Sequence, residues 1–89
     1  MIEHDVEIVN RLGLHARAAA KLVHLAGRFR ADVKLLKDGD SVDAKSILGL
    51  LMLAAAQGEH VRLRCDGPDE AEAMAALLDL IARRFEEES

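Results

Sequence analysis

Apolar and polar residues alternate from Ile2 through Val9, the mark of a strand with one face buried. Asn10 to Leu14, centred on Gly13, reads as a loop. The alanine-rich stretch Ala16 to Ala26 predicts a helix, with Gly27 as its stop. Alternation returns over Ala31 to Leu36. The Asp-Gly step in Lys37-Asp38-Gly39-Asp40 then predicts a hairpin, so Ser41 to Ala44 runs back antiparallel. Ser46 to Ala56 is helix-like and apolar nearly all round. His60 to Cys65 alternates once more, with Val61, Leu63 and Cys65 on one side. Asp66-Gly67-Pro68-Asp69-Glu70 reads as a helix start, with proline and acids in the first turn. Met74, Leu77, Leu78, Ile81 and Phe85 continue it as a stripe, and Arg83 and Arg84 fall in the last turn. The order is β-α-β-β-α-β-α. Four half-buried strands need one covered face and three helices supply it. The expected fold is a two-layer open-faced α+β sandwich, with a four-stranded antiparallel sheet covered on one face.

A chain of 89 residues, 51% apolar and 31% charged, is the size and composition of one small globular domain spanning 1–89. It leaves no room for a second domain closing over a deep pocket, so any chemistry is expected at the surface. The acidic run Glu86-Glu87-Glu88 is expected to fray. The longest uncharged stretch, Ser46 to Gly58, is too short to span a bilayer, and the start lacks the pattern of a signal peptide. A single cysteine excludes an internal disulfide and suits a reducing cytoplasm. No membrane insertion is expected.

The net charge of −4 argues against nucleic acid, and so does the lack of Trp and Tyr for base stacking. The charge is unevenly spread, however. Residues 1–37 carry seven Lys and Arg against four acids, while residues 38–89 carry five against twelve. A basic N-terminal part on an acidic chain suits a local anion site or an acidic partner, although scattered solvated charge would produce the same counts.

Gly13-Leu14-His15-Ala16-Arg17 sharpens that picture. A histidine immediately before a helix lies beside N–H groups that have no intrahelical acceptor, at the positive end of the dipole. An imidazole there can attack a phosphoryl group. The product is then held by the backbone N–H groups of Ala16 and Arg17 and by the Arg17 guanidinium. No acid occurs between Glu7 and Asp32, so nothing nearby in sequence repels the phosphate or activates water against it. A plainer reading has His15 capping the helix through a ring nitrogen and Arg17 as a solvated charge. His4, His24 and His60 are not spaced as metal ligands, and His24 reads as a surface or rim residue. Cys65 points to the apolar side of its strand, which favours an inert core thiol. No metal and no cofactor are expected.

Together with Asn10, Arg11 and Ala19, this segment resembles the phosphorylation signature of the HPr family. These are the histidine phosphocarriers of the bacterial phosphoenolpyruvate-dependent phosphotransferase system. Lys45-Ser46-Ile47-Leu48-Gly49-Leu50 is similar to the family's regulatory serine motif, and the order of elements agrees over essentially the whole chain. The resemblance implies a carrier rather than an enzyme. His15 takes a phosphoryl group on Nδ1 from enzyme I and passes it to IIA domains for sugar uptake, with Arg17 touching the phosphate.

It also implies a docking surface of Leu14, Lys21, Lys45, Ile47, Leu48 and Met52, and a role for Ser46 as a target of the HPr kinase/phosphorylase. An exposed transfer site favours a monomer. As an N-cap, Ser46 would also stabilise its helix whether or not it is phosphorylated. The apolar helix can bury only one side. If Ile47, Leu50, Leu51 and Ala54 fill the core, some of Leu48, Met52 and Leu53 face outward. The family's usual proline after the arginine is Ala18 here. That implies a more mobile loop and slower transfer, and leaves open a nitrogen-related paralogue or a purely regulatory protein.

Overall fold

The strands form because their buried residues fall on alternate positions. A computed structural model, which describes residues 1–87, has β1 at Ile2–Glu7, β2 at Asp32–Lys37, β3 at Asp40–Asp43 and β4 at His60–Asp66. They make one antiparallel sheet in the order β1-β4-β2-β3. Val33, Leu35, Val61, Leu63 and Cys65 turn to the covered face and are buried. On the open face Arg62 and Arg64 pair with Glu3 across the β1–β4 ladder, contacts that add little stability where they are exposed. The hairpin turns on Asp38 and Gly39, both at positive φ (51° and 85°). Positive φ at both centres matches the strand twist and holds Lys37 opposite Asp40.

Three helices, α1 (Ala16–Ala26), α2 (Ile47–Leu53) and α3 (Glu70–Ala82), close the covered face over one apolar cluster. From α1 it receives Ala18, Ala19, Leu22 and Ala26, whose small side chains allow close approach. Helix α3 contributes Ala73, Met74, Leu77, Leu80 and Ile81. No helix of the described residues is long and apolar enough to cross a membrane.

Several expected boundaries move. Helix α2 stops at Leu53, three residues before Ala56, because Ala54 takes a left-handed conformation (φ 55°). The chain turns there so that Ala55 can bury and its carbonyl can accept from the Leu14 N–H at 2.9 Å. Ile47, Leu51 and Ala54 are exposed rather than in the core, whereas Leu50 and Leu53 fill it. Helix α3 starts only after Pro68, since the Asp69 carboxylate bonds the backbone N–H groups of Arg30 and Ala31 instead of capping α3. Phe85 is buried but not part of α3. It sits in one further turn, Arg84–Glu86, with all three residues left-handed.

Candidate functional site

Helix α1 opens at His15, which is extended (φ −73°, ψ 175°) and makes no side-chain cap bond. The first intrahelical bond runs from the Ala19 N–H to the His15 carbonyl at 2.8 Å. The N–H groups of Ala16, Arg17 and Ala18 therefore have no acceptor within the helix, and the positive end of the dipole lies among them. A proline at position 18 would have removed one of these donors. Ala16 and Arg17 are exposed, and Ala18 is buried beneath them.

The turn before His15 is set by Gly13. At φ +63° it is left-handed, and a Cβ there would come within 2.5 Å of the Ala55 carbonyl oxygen. Only glycine lets the loop lie this close to the end of α2. Asn10, fully buried, donates through Nδ2 to the Gly13 carbonyl at 2.8 Å and so braces the loop from inside. Its Oδ1 has no partner among the described residues.

The tail completes the site. Glu87 Oε2 lies 2.6 Å from His15 Nε2, and Glu87 Oε1 accepts from Asn10 Nδ2 at 3.0 Å. The Lys21 ammonium donates to the Phe85 carbonyl at 2.7 Å and lies 3.8 Å from Glu86. Burial works against ionising Glu87, but the bonds from Asn10 and His15 and the charges of His15 and Lys21 outweigh it. They hold its carboxyl below the usual carboxylate range.

Two expectations are corrected here. Glu86 and Glu87 are docked rather than frayed, while Glu88 lies outside the described residues. The acid-free surroundings of His15 hold for the flanking sequence but not for the fold. Asn10 and Glu87 are the site residues that the sequence reading missed. Asn10 carried a signal in its place beside the loop, but Glu87 is 72 residues from His15 and carried none.

The expected docking residues divide. Leu48 (68% exposed), Met52 (74%) and Ile47 (43%) present an apolar face, joined on α2 by Leu51, which the sequence reading had not placed there; Leu12 in the loop before His15 is exposed as well. Leu14 is in the core and cannot contribute side-chain surface. Lys45 also leaves the rim of the His15 site. Its ammonium donates to the Phe29 carbonyl at 3.0 Å, beyond the far end of α1. The far end of α2 meets the His15 loop, where the Leu14 N–H bonds the Ala55 carbonyl, while Ser46 opens the helix at its other end.

Ser46 is the N-cap of α2, its hydroxyl accepting from the Gly49 N–H at 3.1 Å. Between α1 and the chain's end lies an open groove of about 550 Å³, where Arg17, Lys21, His24 and Arg28 face Arg83 and Glu86. Burial pushes the Cys65 thiol up, as expected of an unreactive core cysteine. Among the described residues no three His, Cys, Asp or Glu side chains cluster as they would around a metal ion.

An open-faced sandwich carrying an uncapped histidine at a helix mouth defines a class of surface group carrier, and comparison with known proteins agrees. Residues 2–83 match the model of the PTS-HPr family, described as the PTS HPr component phosphorylation site. The phosphocarrier protein HPr of Cupriavidus necator is 60% identical over 87 residues, which cover 98% of each chain. The crystal structure of an HPr from Thermoanaerobacter tengcongensis superposes with a TM-score of 0.96 at 46% identity, covering both chains completely. A dimeric HPr structure from the same organism gives 0.79, with 98% of this chain and 100% of that one covered. The chain belongs to the HPr family of the phosphotransferase system, whose members are phosphate carriers rather than catalysts.

Proposed function

We propose that the chain accepts a phosphoryl group on His15 from phosphorylated enzyme I and delivers it to IIA domains. The observation that carries this reading is that His15 occupies the N-cap of α1 without capping it. The ring is left for chemistry, and the helix N–H groups are left for an anion. In transfer, the Nδ1 lone pair forms a bond to phosphorus while the bond from phosphorus to the donor atom breaks. The electron pair returns to the donor. The N–H groups of Ala16 and Arg17, with the Arg17 guanidinium, balance charge on the phosphoryl oxygens. Delivery to a IIA acceptor is the same exchange in reverse, so the carrier is consumed and regenerated.

Met52 and Leu51 on α2, with Arg17 and Lys21 on α1, supply an apolar patch with a cationic edge for both partners. Transfer requires His15 to stay accessible, which supports a monomer at work in the cytoplasm. Ser46 is read as a second, regulatory site for the HPr kinase/phosphorylase. It opens α2 at the end opposite the Ala55 contact with the His15 loop, so a phosphate there acts by adding charge beside exposed Ile47 and Leu48 and weakening docking.

Intact mass after incubation with enzyme I and phosphoenolpyruvate tests the reading. An acid-labile gain of one phosphoryl group, absent from His15→Ala, is expected. No gain with enzyme I from the same organism overturns it. A Ser46→Asp variant is expected to accept more slowly while still reacting at His15.

A further inference from the structure

We propose that Glu87 is a positioning residue for His15, fixing the ring with its proton on Nε2 and its lone pair on Nδ1. The inference deepens the carrier reading and rests on it for its kinetic half.

The contact is short, 2.6 Å between Nε2 and Oε2, and both side chains are mostly withdrawn from water (25% and 16% exposed). It is also braced. The second carboxylate oxygen is held by Asn10, whose same amide nitrogen holds Gly13, two residues before His15. Gly13, Asn10, Glu87 and His15 thus close a loop of contacts, and the carboxylate has little freedom to turn away.

The backbone that delivers Glu87 points the same way. Arg84, Phe85 and Glu86 are consecutively left-handed (φ 56°, 54° and 66°), although none is glycine. L-residues adopt that conformation at a cost, and it persists only where the surroundings over-determine it. Here buried Phe85 anchors the turn and Lys21 clamps its carbonyl. Without that turn the chain would not bring residue 87 to His15.

The chemistry follows from donor and acceptor roles. An ionised carboxylate only accepts, so Nε2 must carry hydrogen, and in a neutral ring that leaves Nδ1 as the single lone pair. Attack from Nδ1 forms the nitrogen–phosphorus bond while the proton stays on Nε2. The positive charge that develops on the ring meets Glu87. With Nε2 occupied, the competing product phosphorylated on Nε2 is suppressed.

The test uses the full chain as wild type, Glu87→Gln, Glu87→Ala and Glu86→Gln. Long-range 1H–15N correlation reads the His15 tautomer where the ring is neutral. Single-turnover mixing with phosphorylated enzyme I reads acceptance, and 15N shifts of the product read the attachment atom. Wild type and Glu86→Gln are expected as the Nε2–H form only. Glu87→Ala is expected to admit the Nδ1–H form and to accept about 10-fold more slowly, with Glu87→Gln between. A Glu87→Ala chain with the wild-type tautomer overturns the proposal, even if acceptance slows. A wild-type chain that accepts nothing overturns the carrier reading instead, while the tautomer still decides what Glu87 does to the ring.

Discussion

Helices α1 and α2 each begin with a polar residue at the N-cap, and the two residues do opposite things. Ser46 folds its hydroxyl back onto the Gly49 N–H and satisfies the start of α2. His15 turns its ring away from the start of α1, toward Glu87, and leaves the first N–H groups of α1 without a side-chain acceptor. The first arrangement stabilises a helix of only seven residues that could not stand alone. The second forgoes that stabilisation and leaves those N–H groups for other acceptors. Helix α1 can tolerate this because Ala18, Ala19, Leu22 and Ala26 are buried along it. A cap residue is therefore best judged by whether it caps and, where it does not, by what it meets instead. Asp69 before α3 ties down the backbone of Arg30 and Ala31, whereas the His15 ring, among the described residues, meets only the Glu87 side chain.

His15→Ala strains the comparison hardest. If the ring serves chemistry and not the helix, phosphoryl acceptance falls below detection while stability changes by no more than about 0.5 kcal/mol. Paired mass spectrometry and thermal melts check both halves. A large drop in Tm would place His15 with Ser46, as a structural residue.

Gly13→Ala attacks the same site through its backbone. The substitution puts a Cβ on a left-handed residue and drives it toward the Ala55 carbonyl, 2.5 Å away. A loss of about 2–4 kcal/mol is expected from the two effects together. Acceptance should fall with it, since the His15 loop must move off α2. Urea titration measures the first and enzyme I assay the second.

What was legible in the sequence follows the range of the interaction that decides it. Helix α1 matches its expected bounds, Ala16 to Ala26, because alanine propensity and the Gly27 stop are local. The Asp38-Gly39 turn is local too. The end of α2 was misread because Ala54-Ala55-Ala56 is strongly helix-forming, and what stops it is the distant Leu14 N–H. At the candidate site, the places of His15 and Arg17 at the start of α1 were readable from their neighbours in sequence. Leu14 and Lys45 were misplaced because burial and the carbonyl a lysine reaches are tertiary properties. Glu87 was invisible for the same reason: it belongs to an acidic tail that composition alone marks as solvated.

Ser46→Ala is the counterpart of His15→Ala with the signs exchanged. Removing a working cap costs about 1 kcal/mol, or about 4–8 °C in Tm for a domain of this size. Acceptance at His15 should be nearly unchanged, because Ser46 caps the end of α2 that does not meet the His15 loop. Differential scanning calorimetry beside the enzyme I assay separates the two helix starts. Equal loss of acceptance in both variants would collapse the distinction.

The smallest effect comes from acid. Glu87's carboxyl is held below its ordinary value of 4.5 when the chain is folded. A carboxylate depressed by folding stabilises the fold above its unfolded value, and the contribution is lost as pH falls through the lowered one. Wild type should therefore exceed Glu87→Gln by a few tenths of a kcal/mol, about 1–3 °C in Tm, at any pH above 4.5. The gap should close as the pH falls below that value. Melts of both chains across that window check the sign. No gap at any pH would mean the tail is held by Phe85 and Lys21 alone, and that Glu87 reaches His15 without stabilising either. A gap that persists in acid would mean the carboxylate charge is not its source.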